Sequence, residues 1–180
     1  MRNMRHLPLY LIAPVALVTA AAALAQSSGP VSALKGHNSN APIDVQSDRI
    51  EVQDRADRAI FVGNVHVRQD ELTLDTTRLT VAYTSTGSVQ INRLDASGGV
   101  TVRSPSETAR GSFGIYDLDR KLITLVGNVV LQREGSQING QRLTIDLDSG
   151  RAVIDGGPAG VGQSGGRVTG HFTVPQKKGG

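Results

Sequence analysis

Phe61-Val62-Gly63-Asn64-Val65 returns 64 residues later as Leu125-Val126-Gly127-Asn128-Val129, and Arg78-Leu79-Thr80 returns at the same offset as Arg142-Leu143-Thr144. Two ungapped matches at one offset mark an internal repeat, which constrains the fold more than any single element does. A weaker copy lies between them, with Gly98-Gly99-Val100 standing where Gly63-Asn64-Val65 stands. A fourth start is Ala152-Val153-Ile154-Asp155-Gly156. The marker glycines Gly63, Gly98, Gly127 and Gly156 are spaced 35, 29 and 29 residues apart. Such a unit has room for two strands and two turns at a common strand length of about 5–6 residues. A glycine–asparagine pair between apolar residues suits positive φ or a bulge, where a strand turns a corner.

Outward from these motifs the pattern has period two. Val65, Val67, Leu72, Leu74, Leu79, Val81 and Tyr83 are separated by polar residues such as His66, Arg68, Thr73, Asp75, Arg78 and Thr80. This is the signature of strands with one apolar face, and no comparable stripe at helical spacing occurs in the region. Pro is absent from Ile43 to Ser104, as continuous pairing requires. A single unit cannot bury its apolar face alone, so successive units must share a core. The expected architecture is all-β, a twisted sandwich or β-jellyroll elongated along the stacking axis.

Composition narrows the function. The 180 residues contain no Cys, which excludes a disulfide framework, a thiolate metal site and a Cys nucleophile. Lys and Arg number 19 against 16 Asp and Glu; removing Arg2 and Arg5 with the N-terminal segment leaves 17 against 16. A net charge of +1 lacks the electrostatic footprint of a nucleic-acid binder. Aromatic residues are 3% with no Trp, so stacking platforms for single strands are missing as well.

The N-terminus reads as an address. Arg2, Arg5 and His6 precede the apolar or small stretch Leu7–Leu24, and Ala23-Leu24-Ala25 forms a small-x-small end before Gln26. That order is a secretory signal, expected at 1–25 and cleaved near Ala25. The stretch is also long enough to compete as a membrane anchor, but Pro8 and Pro14 interrupt it. Residues 26–41 are a polar, Ser/Gly/Asn-containing leader, 42–175 the folded domain, and 176–180 a basic tail.

The search for chemistry yields little. His37, His66 and His171 share no ligand spacing, so neither a metal nor a cofactor is expected. Asp44, Asp48, Asp54 and Asp57 could supply paired carboxylates for glycoside cleavage. Arg49, Arg55 and Arg58 are interleaved with them, however, as on a solvated mixed face. Gly162–Gly166 lacks the lysine and the helix of a phosphate loop. No enzyme is expected. The apolar face of Val, Leu and Ile fits either a closed core or a groove for acyl chains.

These residues resemble the periplasmic lipopolysaccharide-transport proteins of the LptA/OstA type. The likeness begins at Ala41-Pro42-Ile43-Asp44-Val45-Gln46-Ser47-Asp48 and continues through the paired motifs at 61–65 and 125–129. It includes Gly140 with Arg142-Leu143, and ends at Arg167-Val168-Thr169 with Val174-Pro175 and the Lys-containing tail. The resemblance covers nearly all of 42–175. It implies an antiparallel β-jellyroll open at both ends, whose interior holds the acyl chains of lipopolysaccharide. Copies would join head to tail, and would join related jellyrolls at the inner and outer membranes to bridge the periplasm. A signal peptide followed by this domain matches the soluble bridge component. The alternatives are a membrane-anchored sibling of the same pathway and a periplasmic polysaccharide-binding β-solenoid.

Carried over by position, the resemblance implies that Ile43, Val45, Val102, Tyr116 and Leu118 face inward. The chain is shorter than the family pattern between Val102 and Tyr116. Alternation extends the ligand-binding set to Val65, Val67, Leu72, Leu74, Leu79, Val81, Val129, Leu131, Leu143 and Ile145, and a single bulge would flip any strand's face. The partner edges are expected at 43–52, with Ile43, Val45 and Val52, and at 168–174, with Val168, Phe172 and Val174.

Overall fold

The computed structural model describes Leu34 and residues 37–85, 87–157 and 166–173. The expected signal segment 1–25, part of the leader, Val174 and the basic tail lie outside the described residues. Among the described residues ten strands form one antiparallel sheet: β1 (Ile43–Gln46), β2 (Arg49–Gln53), β3 (Arg58–Gln69), β4 (Leu72–Thr84), β5 (Gln90–Arg103), β6 (Glu107–Asp117), β7 (Leu122–Arg133), β8 (Ser136–Asp146), β9 (Arg151–Asp155) and β10 (Thr169–His171). Strands β3 to β8 follow one another as a meander. β1 and β2 divide the outer edge of β3 between them, and β9 and β10 divide that of β8.

The long strands run 11 to 14 residues rather than the expected five or six. Each is broken in the middle, and the two pieces have roughly the expected length. In β3 the register shifts between Val62 and Val65, in β5 between Ser97 and Val100, and in β7 between Val126 and Val129. These gaps are the marker motifs. Gly63, Asn64, Gly127 and Asn128 have φ of 81°, 45°, 82° and 48°, and Gly98 and Gly99 both 86°. The breaks align across the sheet into a seam where every long strand bends. One layer then holds β1, the later halves of β3, β5 and β7, the first halves of β4, β6 and β8, and β10. The other layer holds β2, the remaining halves and β9.

The seam has its own chemistry. Two residues of each odd strand meet one of the next even strand there: Thr77, Ser112 or Gln141. Thr77 Oγ1 donates to the Ser97 and Gly98 carbonyls at 3.1 and 3.3 Å, and Ser112 Oγ to the Gly127 carbonyl at 3.2 Å. At the N-terminal edge Asp48 plays this part, its backbone N–H donating to Gly63 O and its carboxylate accepting from Asn64 Nδ2. Short polar side chains thus replace the ladder bonds that the bend removes.

The seam also decides which residues face inward. Odd strands spend two residues on it and keep their parity, so Phe61 and Val65 share a face. Even strands spend one and change parity, so Leu72 and Leu74 are followed by Leu79 and Val81. Between the layers lies one apolar cluster, in which Val65, Leu79, Leu125, Val129, Leu143 and Ile145 are almost wholly buried. Each such side chain contributes about 1.5–3 kcal/mol relative to exposure.

The outer face is polar and cross-linked. Asp75 accepts from His66 Nδ1 at 2.7 Å and also from Arg103 Nη1, tying β3, β4 and β5 together. Partial desolvation acts to raise the Asp75 carboxyl. The hydrogen bonds from His66 and Arg103 and the charges beside them outweigh it, holding the group below its ordinary value. His66 is therefore half of a cross-strand pair and not the solitary surface histidine its sequence context suggests. The carboxylates Asp48, Asp54 and Asp57 are also engaged locally, Asp57 by Ser85 Oγ at 3.1 Å and Asp54 by Tyr83 Oη at 3.5 Å.

A Cβ on Gly127 would lie 2.9 Å from Ser112 Oγ, whereas one on Gly87, also at positive φ, would meet nothing within 4 Å. Gly87→Ala should therefore cost about 1 kcal/mol from backbone strain alone, and Gly127→Ala distinctly more, as read from urea unfolding midpoints. The Asp75 ladder is fully effective above the ordinary carboxylate pKa of about 4 and fades as pH falls through the lowered value. Asp75→Asn should remove it at neutral pH, at a cost of no more than about 1 kcal/mol for a pair this exposed. The same variant should flatten the acid limb of a stability–pH profile.

Candidate functional site

The candidate site is the space between the two layers. Because directly paired residues share a face, the registers define rows running across the strands. One row is Ile50–Phe61–Leu79–Ala96–Gly114–Leu125–Leu143–Ile154. Its neighbour is Val52–Ala59–Val81–Leu94–Tyr116–Ile123–Ile145–Ala152. Both cross the layer from one free edge to the other without a charged residue. The facing layer contributes a third, Val45–Val67–Leu74–Val102–Ala109–Leu131–Ile138.

All fifteen positions expected to face inward lie in this interior. Val65, Val67, Leu72, Leu74, Leu79, Val81, Val102, Tyr116, Val129, Leu131, Leu143 and Ile145 belong to the buried cluster, and Ile43, Val45 and Leu118 pack against it. Alternation does not reach Leu94, Ala96, Val100, Ala109, Ile123, Leu125 and Leu147 of the strands and turns, nor Leu34 ahead of them, which also belong to it. The signal for Leu94, Ala96, Ile123 and Leu125 was present: each lies an even number of residues from an inward position across an odd-strand bulge, where parity is kept.

The interior is closed in this structure. The cavity between the layers measures ≈ 20 Å³ and is lined by Ile43, Leu72, Leu74, Val102, Tyr116 and Ile123, among others. That is room for about one water molecule. Of the two readings the residues allowed, the packing is that of a closed core, so a long apolar ligand requires the layers to part. The seam joins the layers on one side. Opposite it the hairpin turns form two lips, one at residues 70–71, 104–106 and 134–135, the other at 85 and 87–89, 118–121 and 147–150.

A polar latch spans these lips. Tyr116 Oη, from one layer, donates to Gln69 Oε1 of the other at 2.9 Å. Burial pushes the Tyr116 phenol up, so it stays a donor at neutral pH. Gln69 is only 2% exposed and its amide is fully used. Nε2 donates to the Ser39 and Ala41 carbonyls, both at 3.0 Å, and Oε1 also lies 3.1 Å from His37 Nε2. Left unmade, such bonds would cost on the order of 1–3 kcal/mol each. Its place on the inward face of β3, between Val67 and Leu72, gave no hint in sequence that it would carry this network.

The two edges differ. Ile50 and Val52 on β2 share the inward face with Phe61 and Ala59, yet are 55% and 57% exposed because none of the described residues covers them beyond the edge. At the far edge β9, the fourth start of the repeat, occupies half of that edge, which the sequence assigned to 168–174 alone, and its Ile154 and Ala152 pack against the cluster. Val168 and Phe172 flank the short β10 and are exposed. Among the described residues no three His, Asp or Glu side chains come together as a metal-binding group.

Residues 44–151 match the family described as "LptA/(LptD N-terminal domain) LPS transport protein". An uncharacterised protein of Rhizobium meliloti (strain 1021), R00383, is 35% identical over 148 residues, covering 78% of this chain and 79% of that protein. The fold is shared with the crystal structure of LptH from Pseudomonas aeruginosa, the LptA-homologous periplasmic component of the lipopolysaccharide transport device. The TM-score is 0.66 at 18% identity, over 77% of this chain and 99% of the other. The chain is an antiparallel β-jellyroll, and it belongs to the LptA and LptD N-terminal-domain family of lipopolysaccharide transport proteins.

Proposed function

We propose that this protein carries lipopolysaccharide through the periplasm, holding its acyl chains between the two layers, as one segment of a bridge from the inner to the outer membrane. The observation that carries the reading is the pair of apolar rows running unbroken from the β2 edge to the β9 edge. A core built only for stability has no need to bring its lining to an exposed edge, where Ile50 and Val52 are left uncovered. A passage that continues into a neighbouring jellyroll does need it. Aliphatic walls with few aromatics suit flexible hydrocarbon chains, and the absence of charged residues along the rows suits movement over tight binding.

The edges supply the docking mode. β1 and β2 on one side and β9 and β10 on the other present unpaired backbone groups to which a neighbouring strand can add. The neighbour would be a second copy, or a related jellyroll at either membrane, and the lining would then continue across the joint. The family's role is transport, and no catalytic residue is assigned. The reading also places the mature chain in the periplasm, which the expected signal at 1–25 would direct.

A photo-reactive residue at inward Val102 should form a lipopolysaccharide adduct in cells, and one at outward Arg103 should not. No adduct at either position, in a folded periplasmic protein, would return the interior to a closed core and favour a glycan-binding role for the polar face. Ile50→Asp should leave monomer stability within about 0.5 kcal/mol, since the side chain is exposed. It should weaken end-to-end association, and sedimentation across a concentration series reads both states. Unchanged association would exclude the β2 edge from the joint.

A further inference from the structure

We propose that Leu34 and residues 37–41 are a built-in stopper for the interior, held in the lips of the jellyroll by Gln69 and displaced when an acyl chain enters. The inference rests on the acyl-binding reading above. Leu34 belongs to the buried cluster although it lies well ahead of the first strand, and it is only 4% exposed. An aliphatic side chain from outside the sheet thus occupies interior space that the strands alone leave unfilled.

The attachment is polar and local. Backbone hydrogen bonds hold the described residues together ahead of β1: His37 N–H donates to Leu34 O, Ser39 N–H to His37 O and Ala41 N–H to Asn38 O, each at 3.0 Å. Gln69 receives the segment with three of its four hydrogen-bonding positions, on Ser39 O, Ala41 O and His37 Nε2, and gives the fourth to Tyr116 across the lips. One side chain therefore fastens the segment and closes the two layers together.

Such an arrangement suits exchange. An acyl chain replaces Leu34 with like for like, apolar for apolar. The freed Gln69 amide then needs acceptors for its two hydrogens, and the ester or amide carbonyls that join an acyl chain to its headgroup are acceptors of that kind. A bare hydrocarbon would leave them unmet. The ligand best able to displace the stopper is therefore an acyl chain with its linkage attached. While seated, the segment lowers the apparent affinity by the fraction of molecules that are open.

The chain has no Cys, so a single thiol reports cleanly. In the full-length protein, Leu34→Cys should react with a maleimide about tenfold more slowly than Ser88→Cys in the exposed β4–β5 loop, reflecting a seated segment that opens only transiently. Purified lipopolysaccharide should bring the two rates together. Gln69→Leu, which keeps the interior apolar and removes the fastening, should speed Leu34→Cys labelling without ligand. Fast labelling of Leu34→Cys in the free protein would overturn the proposal. So would slow labelling that lipopolysaccharide leaves unchanged while a Val102 probe in the same sample forms its adduct. Slow labelling with no adduct at Val102 would remove the acyl-binding reading, and the stopper role with it.

Discussion

Backbone hydrogen bonding is directional, so a sheet can fold over onto itself only if every strand gives up part of its ladder along one line. In this protein that line is the seam through Gly63-Asn64, Thr77, Gly98-Gly99, Ser112, Gly127-Asn128 and Gln141. Left-handed backbone on one strand meets a short polar side chain on the next, and the lost bonds are partly restored by hydroxyl-to-carbonyl contacts. Were the bends to fall at different depths in successive strands, the rows on either side could not align. The two layers, their shared interior and the lips opposite all follow from six strands bending in step.

The interior that results combines two properties usually kept apart. It is packed tightly enough to leave a cavity of only ≈ 20 Å³, yet its lining reaches the free edge at Ile50 and Val52. Closure on the open side depends on few polar contacts, with Gln69 and Tyr116 at their centre. A hinge on one side and a small latch on the other is a division of labour between backbone and side chains. At the seam the layers are joined through the backbone, and across the lips Tyr116 meets Gln69 through side chains alone.

Much of this was legible in the chain itself. The 64-residue offset between Phe61-Val62-Gly63-Asn64-Val65 and Leu125-Val126-Gly127-Asn128-Val129 located two of the bends and gave their backbone conformation, because few residues other than Gly and Asn tolerate positive φ. Alternation gave the inward positions wherever the apolar residues themselves showed the change of parity, as from Leu74 to Leu79. Strand length was misjudged, since a sequence broken at its centre reads as two short strands although hydrogen bonding carries it across both layers. Gln69 and Leu34 were beyond reach for a different reason. Each owes its role to a partner distant in sequence, and neither residue type nor spacing encodes that a buried amide will find the carbonyls of Ser39 and Ala41.

The unequal use of residues at the seam has a consequence for how such a chain can change in length. A single deletion at Gly127-Asn128 would turn one end of β7 inside out, exposing Val129 and Leu131 and burying Val130 and Gln132. A whole hairpin, one odd strand with one even strand, can instead be gained or lost with every remaining face preserved. The spacings of 29 to 35 residues between marker glycines are the footprint of that unit. Growth in pairs of strands would lengthen the shared interior while leaving the two terminal edges as they are, so the length of the jellyroll and the chemistry of its edges can change independently.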